Sequence, residues 1–139
     1  MQAIIKTANV RNISNQALNA RNKQALIHQI TILAIVDGAI KELAECRLYM
    51  SNSRNASRVT AILWVNGGNY ACGSGYADGY GYHKQSAAVE SAINAAGFEL
   101  SESIGGRGEQ ATIDGLKAVA LAAYPGVDAS TLYACEAHN

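Results

Sequence analysis

Two stretches of this sequence join glycine to residues able to hold an anion. GYADGYGYHK (Gly75 to Lys84) and IGGRGE (Ile104 to Glu109) each lead into a segment with helical spacing. A helix start presents unpaired N–H groups and the positive end of the helix dipole, and glycine lets a phosphate come close to them. Arg107 lies within the second loop, where its planar fork suits a phosphate. His83 and Lys84 add cationic groups to the first. Neither stretch is a P-loop or a dinucleotide fingerprint, and ordinary turns use glycine as well.

The second ingredient is tyrosine. The run Asn66 to Gly81 holds six glycines among Tyr70, Tyr76 and Tyr80, and Tyr82 follows. A tyrosine ring stacks on a base for roughly 1–3 kcal/mol in single-stranded complexes, or it covers a sheet edge. Asn94, on the polar side of the first helical segment, has the chemistry to read a base edge, and Arg58 opens a strand where a second phosphate could sit.

Catalytic groups fit the pattern poorly. His28, His83 and His138 are scattered along the chain, and Glu42, Glu45, Asp78, Glu90, Glu99, Glu102 and Glu109 form no evident pair. Cys46, Cys72 and Cys135 lack metal-ligand spacing and suit packed, reduced thiols. The expectation is a binding protein with no catalytic residue, metal or cofactor.

The elements that must position these residues are legible from periodicity. Met1 to Lys23 suggests a short strand and an irregular arm carrying Lys6, Arg11, Arg21 and Lys23. Leu26 to Val36 is rich in β-branched residues and ends at Asp37-Gly38, a strong hairpin signal because a type I′ turn needs positive φ at both central positions. Ile40 to Met50 returns, with Ala44, Cys46, Leu48 and Met50 alternating against Glu45, Arg47 and Tyr49. After the polar run Ser51 to Ser57, Arg58 to Val65 makes a third strand with Val59, Ala61, Leu63 and Val65 on one face. Asn66 to Asn69 turns into a fourth, whose small face of Ala71, Gly73, Gly75 and Ala77 would let a helix approach closely.

Two helices follow. The first opens near Tyr82 to Ser86, with Ser86 as the expected N-cap, Gly97 as C′ and a stripe of Ala88, Val89, Ala92, Ile93 and Ala96. The second runs from about Glu109 to Tyr124, with Ile113, Leu116, Val119, Ala120 and Ala123 inward, and Pro125-Gly126 stops it. The reading is α+β: an antiparallel, meander-like sheet of about four strands, then two helices packed on one face. It is a single ligand-binding domain over 1–139, comprising an arm (1–23), the sheet (24–78), the helical layer (83–124) and a tail (125–139) open to a further turn or strand.

Composition limits the partners. Acids and bases balance to a formal charge of zero, which gives no general grip on duplex DNA or an anionic membrane. About half the residues are apolar but many are alanine and only one is phenylalanine, so the core is fine-grained and oligomerisation is a natural supplement. No charged n-region before an apolar run and no span-length apolar segment is present, from which a soluble, cytoplasmic protein is expected.

The run GYGYHKQSAAVESAINAAGFEL (Gly79 to Leu100), preceded by a hairpin-rich half and followed by a second alanine-rich helix, resembles the phage Thoeris anti-defence sponges, as does the opening TANVRNISNQALNARNKQALI (Thr7 to Ile27). The resemblance implies a protein acting in the cytoplasm of an infected bacterium, which sequesters without cleaving it the cyclic ADP-ribose isomer made by TIR enzymes. Some members of the family also hold cyclic oligonucleotides. It also implies hexamers built from dimers, with pockets between protomers. Carried over by position, Tyr82 or Phe98 would stack on adenine, Asn94 would read it, and Arg58 with Arg107 would hold the pyrophosphate, with Thr112 or Asp114 contacting ribose; Lys84, from its own place at the helix entry, is a further residue expected to touch ligand. The alternatives are an RNA- or protein-binding module using an aromatic sheet face, and a nucleotide-cleaving enzyme.

Overall fold

The structure, a computed structural model, describes residues 1–6, 25–50, 58–65, 71–79, 82–105 and 107–138. The expected arm beyond Lys6, the polar run Ser51 to Ser57, the turn Asn66 to Asn69, Tyr70, Tyr80 and the side chain of Tyr82 lie outside the described residues.

Strands β1 (Ala3–Ile5), β2 (Ala25–Val36), β3 (Ala39–Met50), β4 (Arg58–Val65) and β5 (Ala71–Asp78) precede helix α1 (Tyr82–Ala95); β6 (Phe98–Leu100), helix α2 (Glu109–Ala123), a 3₁₀ turn (Ala129–Thr131) and β7 (Tyr133–His138) follow. The main sheet is antiparallel in the order β5-β4-β3-β2-β7. The four-strand meander and two helices are as expected from periodicity, and the tail supplies a fifth strand beside β2. Among the described residues, no helix is long and apolar enough to cross a membrane.

The Asp37-Gly38 turn has φ of 53° and 77°, the type I′ signature its residues call for. Gly97 ends α1 with φ 96°, where only glycine avoids a Cβ penalty, and its N–H donates to Asn94 O at 3.0 Å. Ser86 differs from expectation. The helix starts a turn earlier, at Tyr82, so Ser86 lies inside it, buried, and its hydroxyl bonds Thr112 Oγ1 at 2.8 Å on α2.

One core fills the space between sheet and helices. Ile30, Ile32 and Ala34 of β2, Val59, Ala61, Leu63 and Val65 of β4 and the alanine-rich stripe of α1 meet there, joined by Leu116, Val119 and Ala120 of α2. The small face of β5 permits the helix contact: a Cβ at Gly73 or Gly75 would lie 2.5 Å from the backbone O or N of Ala92. The helix therefore rests on the strand backbone itself.

Phe98 is drawn into this core by a ladder that spacing does not reveal. β6 pairs with β1 as Ile5↔Phe98, Ile4↔Glu99 and Ala3↔Leu100, and the phenylalanine ring is 1% exposed. On the other face of the sheet Tyr49 and Ile62 form a second, smaller buried cluster with Leu26 and Trp64 packed on it.

Two irregularities between β2 and β3 set side-chain direction. Pairing passes from Leu26↔Tyr49 to His28↔Leu48, leaving Ile27 as an extra residue, and from Ile32↔Ala44 to Leu33↔Glu42, leaving Leu43 extra. Such a bulge shifts the alternation by one. Leu26 consequently packs on the outer cluster while His28, two residues on, joins Ile30 on the helix face.

Candidate functional site

The groove at the β5 edge is built by cross-strand register. Arg58 pairs with Asp78 and Thr60 with Tyr76 across β4 and β5, which puts all four side chains on the outer face. Arg58 Nε donates to Asp78 Oδ1 at 2.9 Å, and its guanidinium lies 4.1 Å from the centre of the Tyr76 ring. That ring, 46% exposed, is stacked against a cation yet open to solvent. Ser74, Gly75, Ala77 and, from α1, Ser91 complete a groove of about 560 Å³ that wraps the strand edge. The Thr60 hydroxyl is buried in its wall and has no hydrogen-bond partner among the described residues. A buried hydroxyl of this kind ordinarily finds a partner, and one coming from the groove would have to part the wall to reach it.

At the opposite edge four ionisable side chains converge. His28 faces His138 directly across the β2–β7 ladder, and the rings stack with centres 4.0 Å apart and planes 20° from parallel. Glu136, two residues before His138, shares that face, and its Oε1 lies 2.9 Å from His28 Nε2 and 3.9 Å from His138 Nε2. Glu109, the first residue of α2, comes within 3.7 Å of His138 Nε2. His28 is buried, and its Nδ1 is 3.3 Å from Gln85 Oε1 of α1. A hydrogen bond to Glu136, with burial, holds the Glu109 carboxyl above its ordinary value. Burial acts on Glu136 in the same direction, but hydrogen bonds to Glu109 and His28 outweigh it and leave that carboxyl below the usual range. The two carboxyls therefore titrate as a coupled pair, Glu109 shifted up and Glu136 down. This corrects the expectation of scattered histidines and unpaired acids: the fold brings together His28 and His138, Glu109 and Glu136.

The residues expected to bind ligand fall in several places in the single chain. Arg58 does not line the groove itself but flanks it through its contacts with the lining residues Tyr76 and Asp78. Asn94 is exposed on α1, one turn beyond the groove residue Ser91, and Lys84 folds its side chain over Gly79 near the start of that helix. Arg107 is exposed, with Nη1 donating to Ser103 O at 3.1 Å and Glu102 3.9 Å away. The loop before α2 is tied down by a carboxylate: Glu90 accepts from the Ile104 N–H and the Ser103 hydroxyl, both at 3.1 Å. Thr112 is buried, bonded to Ser86 and to Gly108 O, and borders the cavity that also touches His28 and Glu109. Asp114 bonds Gln110 at 2.9 Å and borders a separate depression with Met1 and Lys117. Phe98 cannot stack on a ligand from its place in the core, because the β1–β6 ladder turns it inward. Tyr82 begins α1, with its side chain outside the described residues.

Tyr76 is among the tyrosines able to stack on a base but not among the residues carried into the expected site, and Thr60, Ser74 and Ser91 are not expected there at all. The pairing of Arg58 with Asp78 at the two ends of a predicted hairpin was the available signal. No protein-family model, no curated protein and no solved structure matches this chain.

Proposed function

We propose that the protein is a non-catalytic sponge, which binds and sequesters a cyclic nucleotide immune signal of the cyclic ADP-ribose class and so blocks a bacterial anti-phage defence. The observation that carries this reading is the groove with its stacked Arg58–Tyr76 pair and its unsatisfied Thr60 hydroxyl. Its volume of about 560 Å³ falls within the span of small-molecule sites, roughly 300–1,000 Å³. Arg58 supplies a phosphate fork, Tyr76 a ring for a base, and Ser74 and Ser91 supply hydroxyls for ribose. Asp78 holds Arg58 in an exposed ion pair, a kind of contact worth only about 0–1 kcal/mol, which a doubly charged pyrophosphate replaces readily.

Assembly into hexamers built from dimers, with neighbouring protomers completing the pocket, belongs to the same proposal. It is supported by a groove open at a strand edge and by the cross-strand pair Ile35 and Ile40, both well exposed at the hairpin tip. A module binding RNA or protein through an aromatic sheet face is less favoured, because on that face Tyr49 is buried and Trp64 partly buried, which leaves Tyr76 as its well-exposed ring among the described residues. Incubation with the cyclic ADP-ribose isomer, followed by heat denaturation and chromatography of the supernatant, tests the reading. Intact ligand is expected back in full; a hydrolysed product would replace the sponge with an enzyme, and unretained ligand would end both.

A further inference from the structure

We infer that His28, Glu109, Glu136 and His138 form a four-donor site for a zinc-class divalent ion, which clamps β7 and the start of α2 onto β2. The site stands apart from the groove at the other edge of the sheet, and the inference does not rest on the sponge reading.

The geometry supports it in three ways. Each residue offers one ligand atom, and all of these atoms lie within 4.8 Å of one another. Four donors around a tetrahedral zinc at 2.0–2.1 Å stand about 3.3 Å apart, so closure from spacings of 2.9, 3.7 and 3.9 Å, with every pair within 4.8 Å, calls for shifts of up to about 1.5 Å and for the exposed His138 ring to turn out of its stack on His28. The mobile partners are the exposed ones: the side chains of His138 and Glu109 are 50% and 38% exposed, against 4% for His28. The site therefore has a fixed anchor and adjustable arms.

The outer hydrogen bond of His28 is the second support. Gln85 Oε1 faces Nδ1 at 3.3 Å and can accept its hydrogen, which leaves Nε2 free to ligate an ion in the cluster. Ligating imidazoles are held in this way, by an acceptor on the far nitrogen. Nε2 lies 2.9 Å from Glu136 Oε1 and donates to it when no ion is bound, and a divalent ion would take the place of that hydrogen between the two ligand atoms.

Third, the protein places these groups at some cost. The Ile27 bulge directs His28 to the helix side, into a row where Ile30 and Ile32 are apolar. The α2 start contributes Glu109, opposite one carboxylate, Glu136, and one imidazole, His138, on β7. Two imidazoles and two carboxylates suit zinc and its neighbours, while magnesium prefers oxygen and water.

The test uses tag-free, dialysed full-length protein titrated with zinc chloride by calorimetry, with the melting temperature followed in parallel. One equivalent is expected to bind and to raise the melting temperature, and magnesium chloride at the same concentration is expected to leave it unchanged. His138→Ala and Glu136→Gln, both on the partly exposed edge strand, should each weaken zinc binding at least tenfold. Cobalt(II) added to the wild-type protein should give the intense visible absorption of a four-coordinate ion. Absence of both heat and melting shift would overturn the assignment, as would undiminished binding by the double variant, which would put the ion elsewhere. A weak six-coordinate cobalt spectrum would equally remove the four-donor site.

Discussion

The two edges of the sheet carry the two chemically loaded regions of the molecule, and they are built on opposite plans. At the β5 edge the groups are exposed, the charges are paired within one hairpin, and the shape comes from glycines that let α1 settle on the strand. At the β7 edge partly exposed groups gather on one buried histidine, and they come from β2, β7 and α2 at once. The first plan leaves room for a visitor. The second nearly fills its own volume, with a small cavity bordered by His28, Ser86, Glu109 and Thr112. An edge made from neighbouring residues can stay open because its strands hold it; an edge made from distant residues is held by its own side chains.

The largest expected effect falls on the support of the groove. Gly75→Val would drive methyl groups into the backbone of Ala92 on α1, which has no flexible end to move aside, and should cost about 3 kcal/mol of stability in urea denaturation. If the variant melts like the wild type, the helix does not rest on β5 as described. Next in size is Arg58→Ala. Loss of one charged hydrogen-bonding group, worth about 1.5–3 kcal/mol, should weaken binding of the cyclic ADP-ribose isomer roughly 10- to 100-fold while stability barely changes. Unchanged affinity by calorimetry would move the ligand away from this edge. The smallest effect concerns thiols. Cys46 is sealed in the core, and burial, with the charge of Glu45, pushes its thiol up to about 12, so it stays protonated and inert. Cys135 is exposed on β7. Iodoacetamide at mildly alkaline pH should label Cys135 and leave Cys46 untouched by mass spectrometry; equal labelling would mean that β7 and the core open together.

These contrasts also explain what could be seen in advance. The Asp37-Gly38 turn, the Gly97 stop and the close-packing role of Gly73 and Gly75 are local: each follows from what glycine or a small side chain allows at that position. The groove was half legible for the same reason, since Arg58 and Asp78 bound one expected hairpin. Ser86 misled because a serine before an alanine-rich run looks like a cap, whereas its hydroxyl is used to join α1 to Thr112. Phe98 misled because its burial depends on β1, far away in sequence. The histidine–glutamate cluster was illegible for a stronger reason. It needs β7 to pair with β2 in one register and a bulge at Ile27 to reverse the alternation, and neither leaves a mark on the spacing of His28, Glu109, Glu136 and His138.

The pairing of β7 with β2 also bears on the order in which the chain acquires its structure. His28 meets Glu136 across 108 positions of sequence, while β2 to β5 close through successive neighbours. The ordering entropy of so long a loop is regained only once both helices are in place. During synthesis the meander can form while the flank of β2 still waits for its neighbour, with unpaired amides and an alternating apolar row along it. That flank is open to pairing with another nascent chain until docking of the last strand ends the exposure.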